Sequence, residues 1–233
     1  MGGVLSGSGS VSGAITSSGR IAAGGGTLAL GGAVTGTGTL EADAGGALNL
    51  NGTSNSQPTV LNNSAITIGA SDSLDVTISV NASSTGLFLL TNASLLEVAA
   101  DTGGSNQVSF LGASGDKLVV DAASLFGSNV GSTSYTGPLL ENFAAVDTID
   151  LKNLVFSGAT IDSYTSGTGL LRLHSGSTKA TLLFQNSSLG SGSFHLSADS
   201  GTGTLITHSY AGGSGGIVPR SRAGLACPRL SGR

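Results

Sequence analysis

A large apolar side chain, usually Leu, Val or Ile, returns about every ten residues through the first half of this chain, against a background of glycine, serine and threonine. Leu30, Leu40, Leu50, Val60, Ile68, Val80, Leu90, Val98, Phe110 and Val120 mark the beat. Each lies in a short apolar or alternating run, such as TLAL at 27–30, GTLEA at 38–42, ALNL at 47–50, VSFL at 108–111 or KLVV at 117–120. Short strands at near-constant spacing, with Gly- and Asn-rich turns between them, predict a coil of β-strands. Each coil packs mainly on its neighbours, so a strip of small and medium residues is enough to build one.

Composition excludes the main competitors. Disordered chains combine low hydrophobicity with high net charge, whereas mean hydropathy here is +0.28 and net charge is −4. A single wide globular core is also disfavoured, because no Trp and 7 Phe supply little bulk to fill it. Of the 9 basic residues, Arg220, Arg222, Arg229 and Arg233 lie at the very end; the rest of the chain has 5 basic against 13 acidic side chains, a net of −8. An acidic body disfavours nucleic acid, which is held by Lys and Arg on phosphates, and the terminal arginines read as a solvated end. Cys227 is the one cysteine, so an internal disulfide and a cysteine-based zinc site are both excluded within one chain. The start, MGGVLSGSGSVSG, has neither the basic nor the apolar region of a secretory signal, and no run of eighteen apolar residues is present. If the protein is exported, its signal is expected elsewhere in a longer polypeptide.

Three zones differ in texture. Residues 1–140 carry the repeating strands. Within them Asn51, Asn55, Asn62, Asn63, Asn81 and Asn92 are expected between strands, where Asn tolerates left-handed geometry. Residues 141–210 contain longer runs richer in Phe and Leu (LLRLHS, ATLLFQ, SFHLSAD, GTGTLITHS) and are expected to cap the coil, whose open end would otherwise recruit another chain. A short helical turn is expected at 139–145. Residues 211–233, with AGGSGG, two prolines and scattered arginines, are expected to form a flexible, disordered tail.

Four segments in order carry a resemblance: GTGTLEADAGGALNLNG, NQVSFLGASGDKLVVDAASLFG, FAAVDTIDL and FHLSADSGTGTLI. Together they resemble the terminal repeat region of large bacterial surface proteins of the autotransporter- and haemagglutinin-like β-solenoid type, over most of residues 26–207. The resemblance implies an exported, extracellular or cell-surface passenger segment with an adhesive role. Two departures fall at tight turns: Val146-Asp147 stands where the family has Gly-Asp, and 199–204 reads DSGTGT where it has DGxGGT. The nine-residue calcium repeat of secreted toxin-like proteins is absent, and no aspartate recurs at a fixed spacing to supply six to eight oxygen ligands.

The chemistry-bearing residues are few. The acidic pairs are Asp72/Asp75, Asp116/Asp121 and Asp147/Asp150. On a strand, side chains three apart point to opposite faces, so Asp147 is expected to cap a turn and Asp150 to face solvent. His174, His195 and His208 are expected to be unrelated surface residues, since no Glu lies near them in sequence and there is no Cys partner. No serine elbow or phosphate loop is present. The pairs Thr37/Thr39 and Thr202/Thr204 have the TxT form of ice-binding solenoid faces but do not recur in successive coils. Sequons at Asn51, Asn62, Asn81, Asn92 and Asn186 are expected by chance in so Ser- and Asn-rich a chain.

The expectation is an all-β, right-handed parallel β-solenoid (β-helix) with a C-terminal β cap. It would serve as a structural or adhesive segment whose Ser/Thr/Asn-rich face attaches to glycans or neighbouring cells. No catalytic, cofactor-binding or metal-binding residue is assigned. The competing reading is an enzyme acting on polysaccharide, for which two converging carboxylates would speak. An ice-binding solenoid is third.

Overall fold

The computed structural model describes residues 3–42, 47–51, 55–56, 59–69, 73–76, 85–100, 106–189 and 192–210. The chain is nearly all β, and mostly parallel stacked coils make it a β-solenoid. One sheet runs from Val4–Val11 through Arg20–Leu30, the pair Thr39–Ala42 and Ala47–Leu50, then Thr59–Ile68, Thr85–Leu90, Gln107–Phe110 and Leu139–Glu141 to Thr178–Phe184. Every pairing along that path is parallel. A second sheet stacks Asn55–Ser56, Ser73–Val76, Leu95–Val98, Lys117–Val120 and Thr148–Leu151, also in parallel.

The apolar beat is the core. Leu30, Leu40, Leu50, Ile68, Leu90, Val98, Phe110 and Val120 are all at most 2% exposed; Val80 and the side chain of Val60 lie outside the described residues. From Thr85 onward, successive beats fall on alternate sheets, so one coil spans two beats. Leu30, Leu50, Ile68, Leu90 and Phe110 are register partners in one column, at spacings of 20, 18, 22 and 20 residues. Val76, Val98, Val120 and Leu151 form the matching column in the other sheet. Stacking hides the side chains of the first column, and those of Val98, Val120 and Leu151 in the second, between their neighbours above and below. Each buried Leu, Val or Ile contributes about 1.5–3 kcal/mol relative to exposure, and rings join them at Phe88 and Phe110.

A chain of aromatic contacts runs from the coil residue Phe110 into the end of the stack. Phe110 meets Phe143 with ring centroids 5.2 Å apart, and Phe143 meets Phe184 at 5.3 Å. Phe184 in turn meets Phe194 at 5.0 Å, which packs on Tyr164 and on His208. The pairing direction changes over the same stretch. Ala159–Thr165, Leu170–Ser175 and Thr178–Phe184 form an antiparallel meander on the first sheet. On the second, Thr204–Tyr210 runs antiparallel to Thr148–Leu151 and carries Gly192–Ala198 outside it.

Several expectations change. No helical turn forms at 139–145: Leu139–Glu141 is a strand, because Leu140 is buried and pairs with Val108, which commits the backbone to the ladder. Asn142, at φ 58°, then turns the chain. Asn55, Asn62 and Asn63 sit in strands rather than between them. Asn62 pairs with Thr85 and Ser64 with Gly86, which leaves Asn63 as the extra residue at a register shift. The corner is there, but the strand continues through it. Asn92 does hold the left-handed turn expected of it, at φ 52°. Ala159–Thr165 is a strand that its sequence did not announce. The expected tail, residues 211–233, lies outside the described residues.

Candidate functional site

Ser94, Asp116 and Asp147 each stand immediately before a strand of the second sheet, and stacking brings them into one corner column. Asp116 is buried; its Oδ1 accepts the Ser94 N–H (3.1 Å) and its Oδ2 the Gly112 N–H (3.1 Å). Asp147 repeats the device one coil on. Its Oδ1 accepts the Asp116 N–H (3.0 Å) and its Oδ2 the Ala144 N–H (2.8 Å), with the side chain wholly buried. These are charge-assisted bonds that satisfy corner amides no ladder reaches. Asp147 is therefore the turn cap its position suggests, and Val146 beside it is exposed.

Asp150 does not face solvent. It is 4% exposed, and its Oδ2 accepts a hydrogen bond from Lys117 Nζ at 2.7 Å. The reason is register: Lys117 pairs with Thr148 and Val119 with Asp150, so the lysine reaches across the strand to a carboxylate that the sheet has taken out of water. Lys152 is held between Glu97 and Asp121, the latter at 3.1 Å. Those carboxylates push the Lys152 ammonium well above the usual lysine range. Asp121 and Asp116, though near in sequence, thus serve different networks. Asp72 lies outside the described residues, as does the side chain of Asp75.

The histidines divide three ways. His174 Nδ1 lies 2.5 Å from Asp162 Oδ1 on the neighbouring strand, at the surface. His195 bonds Ser209 Oγ at 2.7 Å, also at the surface. His208 is buried rather than on the surface, ring to ring with Phe194 at 4.9 Å; burial first, and the nearby His195 second, depress its pKa. Among the described residues no group of three or more His, Cys, Asp or Glu is placed to hold a metal ion.

The TxT pairs do not form a flat array. Thr37 is exposed and Thr39 is partly buried, while Thr204 is fully buried with its hydroxyl donated to Leu154 O at 2.6 Å. In the turn at 199–203, Asp199 Oδ1 accepts the Gly201 N–H at 2.7 Å, and a Cβ at Gly203 would lie 2.9 Å from Leu151 O. Of the sequon asparagines, Asn51, Asn92 and Asn186 are exposed, but Asn92 Oδ1 accepts the Ala113 N–H and Asn186 Nδ2 donates to Gly167 O. Asn81 and the side chain of Asn62 lie outside the described residues.

One feature escaped the sequence reading. A cleft of about 430 Å³ lies between the turn at Ser124, the loop at Val130, Asn153, and the hairpin corner Ser177-Thr178-Lys179. Its walls come from segments far apart in the chain, none with a local signature. No protein-family model matches this chain, and no curated protein or solved structure matches it either.

Proposed function

We propose that this chain is a structural and adhesive segment of an exported bacterial surface protein, a stiff β-solenoid that attaches through many weak contacts. The observation that carries the reading is the outer face of the first sheet. Its outward positions follow one another in register from coil to coil: Ser10, Ala29, Asn49, Thr67 and Leu89 form one column, which ends at the buried Ser109 beneath Asn142, and Thr27, Ala47, Leu87 and Gln107 lie in another. Equivalent positions, filled by different small and polar side chains, recur at the inter-strand spacing of about 4.8 Å, a spacing that suits a repetitive ligand. The face is less uniformly polar than the sequence suggests, since Leu87, Leu89 and Leu139 replace hydroxyls and amides toward one end.

A second line of support is how the acidic groups are spent. Asp116 and Asp147 accept backbone amides, while Asp150, Glu97 and Asp121 are engaged by Lys117 and Lys152. A polysaccharide hydrolase or lyase would need such groups directed at substrate. Surface location and a bacterial source follow from the family resemblance alone.

Individual contacts of this kind are weak, so attachment should depend on presenting many copies. Beads coated densely with the protein are expected to adhere to glycan-bearing cells under conditions where the soluble monomer barely binds. Depolymerisation of a polysaccharide that stops with Asp150→Asn would refute the reading in favour of an enzyme.

A further inference from the structure

We infer that the cleft bounded by Ser124, Asn153 and Lys179 is a binding subsite for an acidic sugar, a hexose ring that carries a carboxylate. The inference takes its biological sense from the attachment reading, but the chemistry rests on the cleft itself. The lining is Ser124, Val130, Asn153, Ser177, Thr178 and Lys179: one ammonium, one amide, three hydroxyls and one small apolar wall. No carboxylate is among these residues, in a chain whose net charge is −4. The cleft, of about 430 Å³, is open to solvent on one side: Ser124, Asn153, Ser177 and Lys179 are exposed, so a ligand there would be held by its polar edge and not enclosed.

The polar groups are available. Lys179 is exposed and makes no hydrogen bond or ion pair among the described residues, whereas Lys117 and Lys152 are both held by carboxylates. Its stem is positioned: Gly131, at φ 82°, lies so close that a Cβ there would stand 2.4 Å from Lys179 Cδ. The loop is anchored in turn by the Gly131 N–H, which donates to Thr181 Oγ1 at 2.7 Å. Asn153 Oδ1 accepts the Ala123 N–H at 2.9 Å, so its amide N–H₂ is the half left to face a ligand. His174, the cross-strand partner of Lys179, is already held by Asp162, which leaves Lys179 as the cation of the cleft. An ammonium for the carboxylate, with an amide donor and hydroxyls for the ring, matches an acidic sugar better than a neutral one or a bare anion.

The test is an NMR titration of the full chain with sodium glucuronate, and with glucose and acetate as controls. Glucuronate is expected to shift the amide signals of residues 177–179 and the Asn153 side chain, saturating at millimolar concentration. Glucose and acetate should each bind several-fold more weakly. Lys179→Ala should weaken glucuronate about two- to fivefold, the range for an ion pair made by an exposed lysine. Lys179→Arg should largely retain binding. Asn153→Asp is the second arm, because it keeps the acceptor for Ala123 while turning the ligand-facing donor into a carboxylate; it should abolish binding without unfolding the chain. Equal shifts with acetate, or wild-type affinity in both Lys179→Ala and Asn153→Asp, would overturn the proposal. Bead adhesion separates this from the broader reading. Adhesion without glucuronate binding overturns the subsite alone, and glucuronate binding without adhesion supports the subsite while the attachment reading fails.

Discussion

Asp147 offers the sharpest test of what holds the coils in register. It is wholly buried, and its two oxygens accept N–H groups from two separate segments, Asp116 at 3.0 Å and Ala144 at 2.8 Å. Asp147→Ala removes both acceptors and leaves the amides without their partner in a corner that the β-ladder does not reach. A hydrogen bond to a charged group contributes about 1.5–3 kcal/mol, so the pair should cost about 3–6 kcal/mol. That is a large share of the roughly 5–15 kcal/mol available to a domain. At about 2–4 °C per kcal/mol for a domain of this size, Tm should fall by about 6–24 °C. Asp147→Asn keeps one acceptor oxygen but turns an N–H₂ toward the other amide, and should lie between the two. Urea melts followed by circular dichroism would give the free energies, and amide exchange would show whether Asp116 and Ala144 lose protection first. Asp199→Ala is the control, since its bond to Gly201 is at the surface, and it should cost no more than about 1 kcal/mol. If Asp147→Ala melts within 1 kcal/mol of the wild type, the corner bonds do not hold the stack and the argument fails.

Phe143→Ala should cost about 3–5 kcal/mol, because Phe143 joins Phe110 to Phe184 at the end of the coils; a chemical melt within 1 kcal/mol of wild type would show that the column packs loosely. His208 sets a pH dependence: its folded-state pKa lies below the ordinary 6.5, so the unfolded chain takes up the proton first. Its contribution is complete above about pH 6.5 and is lost as pH falls through the window beneath. His208→Gln should flatten the decline in urea midpoint between roughly pH 7.5 and 5, and an unchanged slope would assign that decline to other groups. A chain ending at Leu140 lacks Thr148–Leu151 and Thr178–Phe184, which pair with the last parallel strands. It should aggregate through the edges so exposed, and a soluble monomer by light scattering would deny residues 141–210 a capping role.

The β-solenoid was legible in the sequence because its core is periodic. A coil repeats one set of neighbours, so Leu30, Leu50, Ile68 and Leu90 each meet the same environment and the chain records it as a beat. Asp147 as a turn cap was legible in its local half, since the Ala144 N–H it accepts lies three residues away, whereas its bond from Asp116, 31 residues back, depends on the stacking of coils. Tertiary structure decided whatever depends on register between segments. Asp150 reads as a solvent-facing alternate position, and only the pairing of Val119 with Asp150 brings Lys117 over it and closes it from water. His208 looks like its two exposed counterparts until the last hairpin lays it against Phe194. The Lys179 cleft is the extreme case. Its walls come from residues 124, 130, 153 and 177–179, and no short window of sequence contains the distances that make those side chains neighbours. Periodic burial is a local property written into composition and spacing, whereas a site of convergent side chains exists only once the chain has closed on itself.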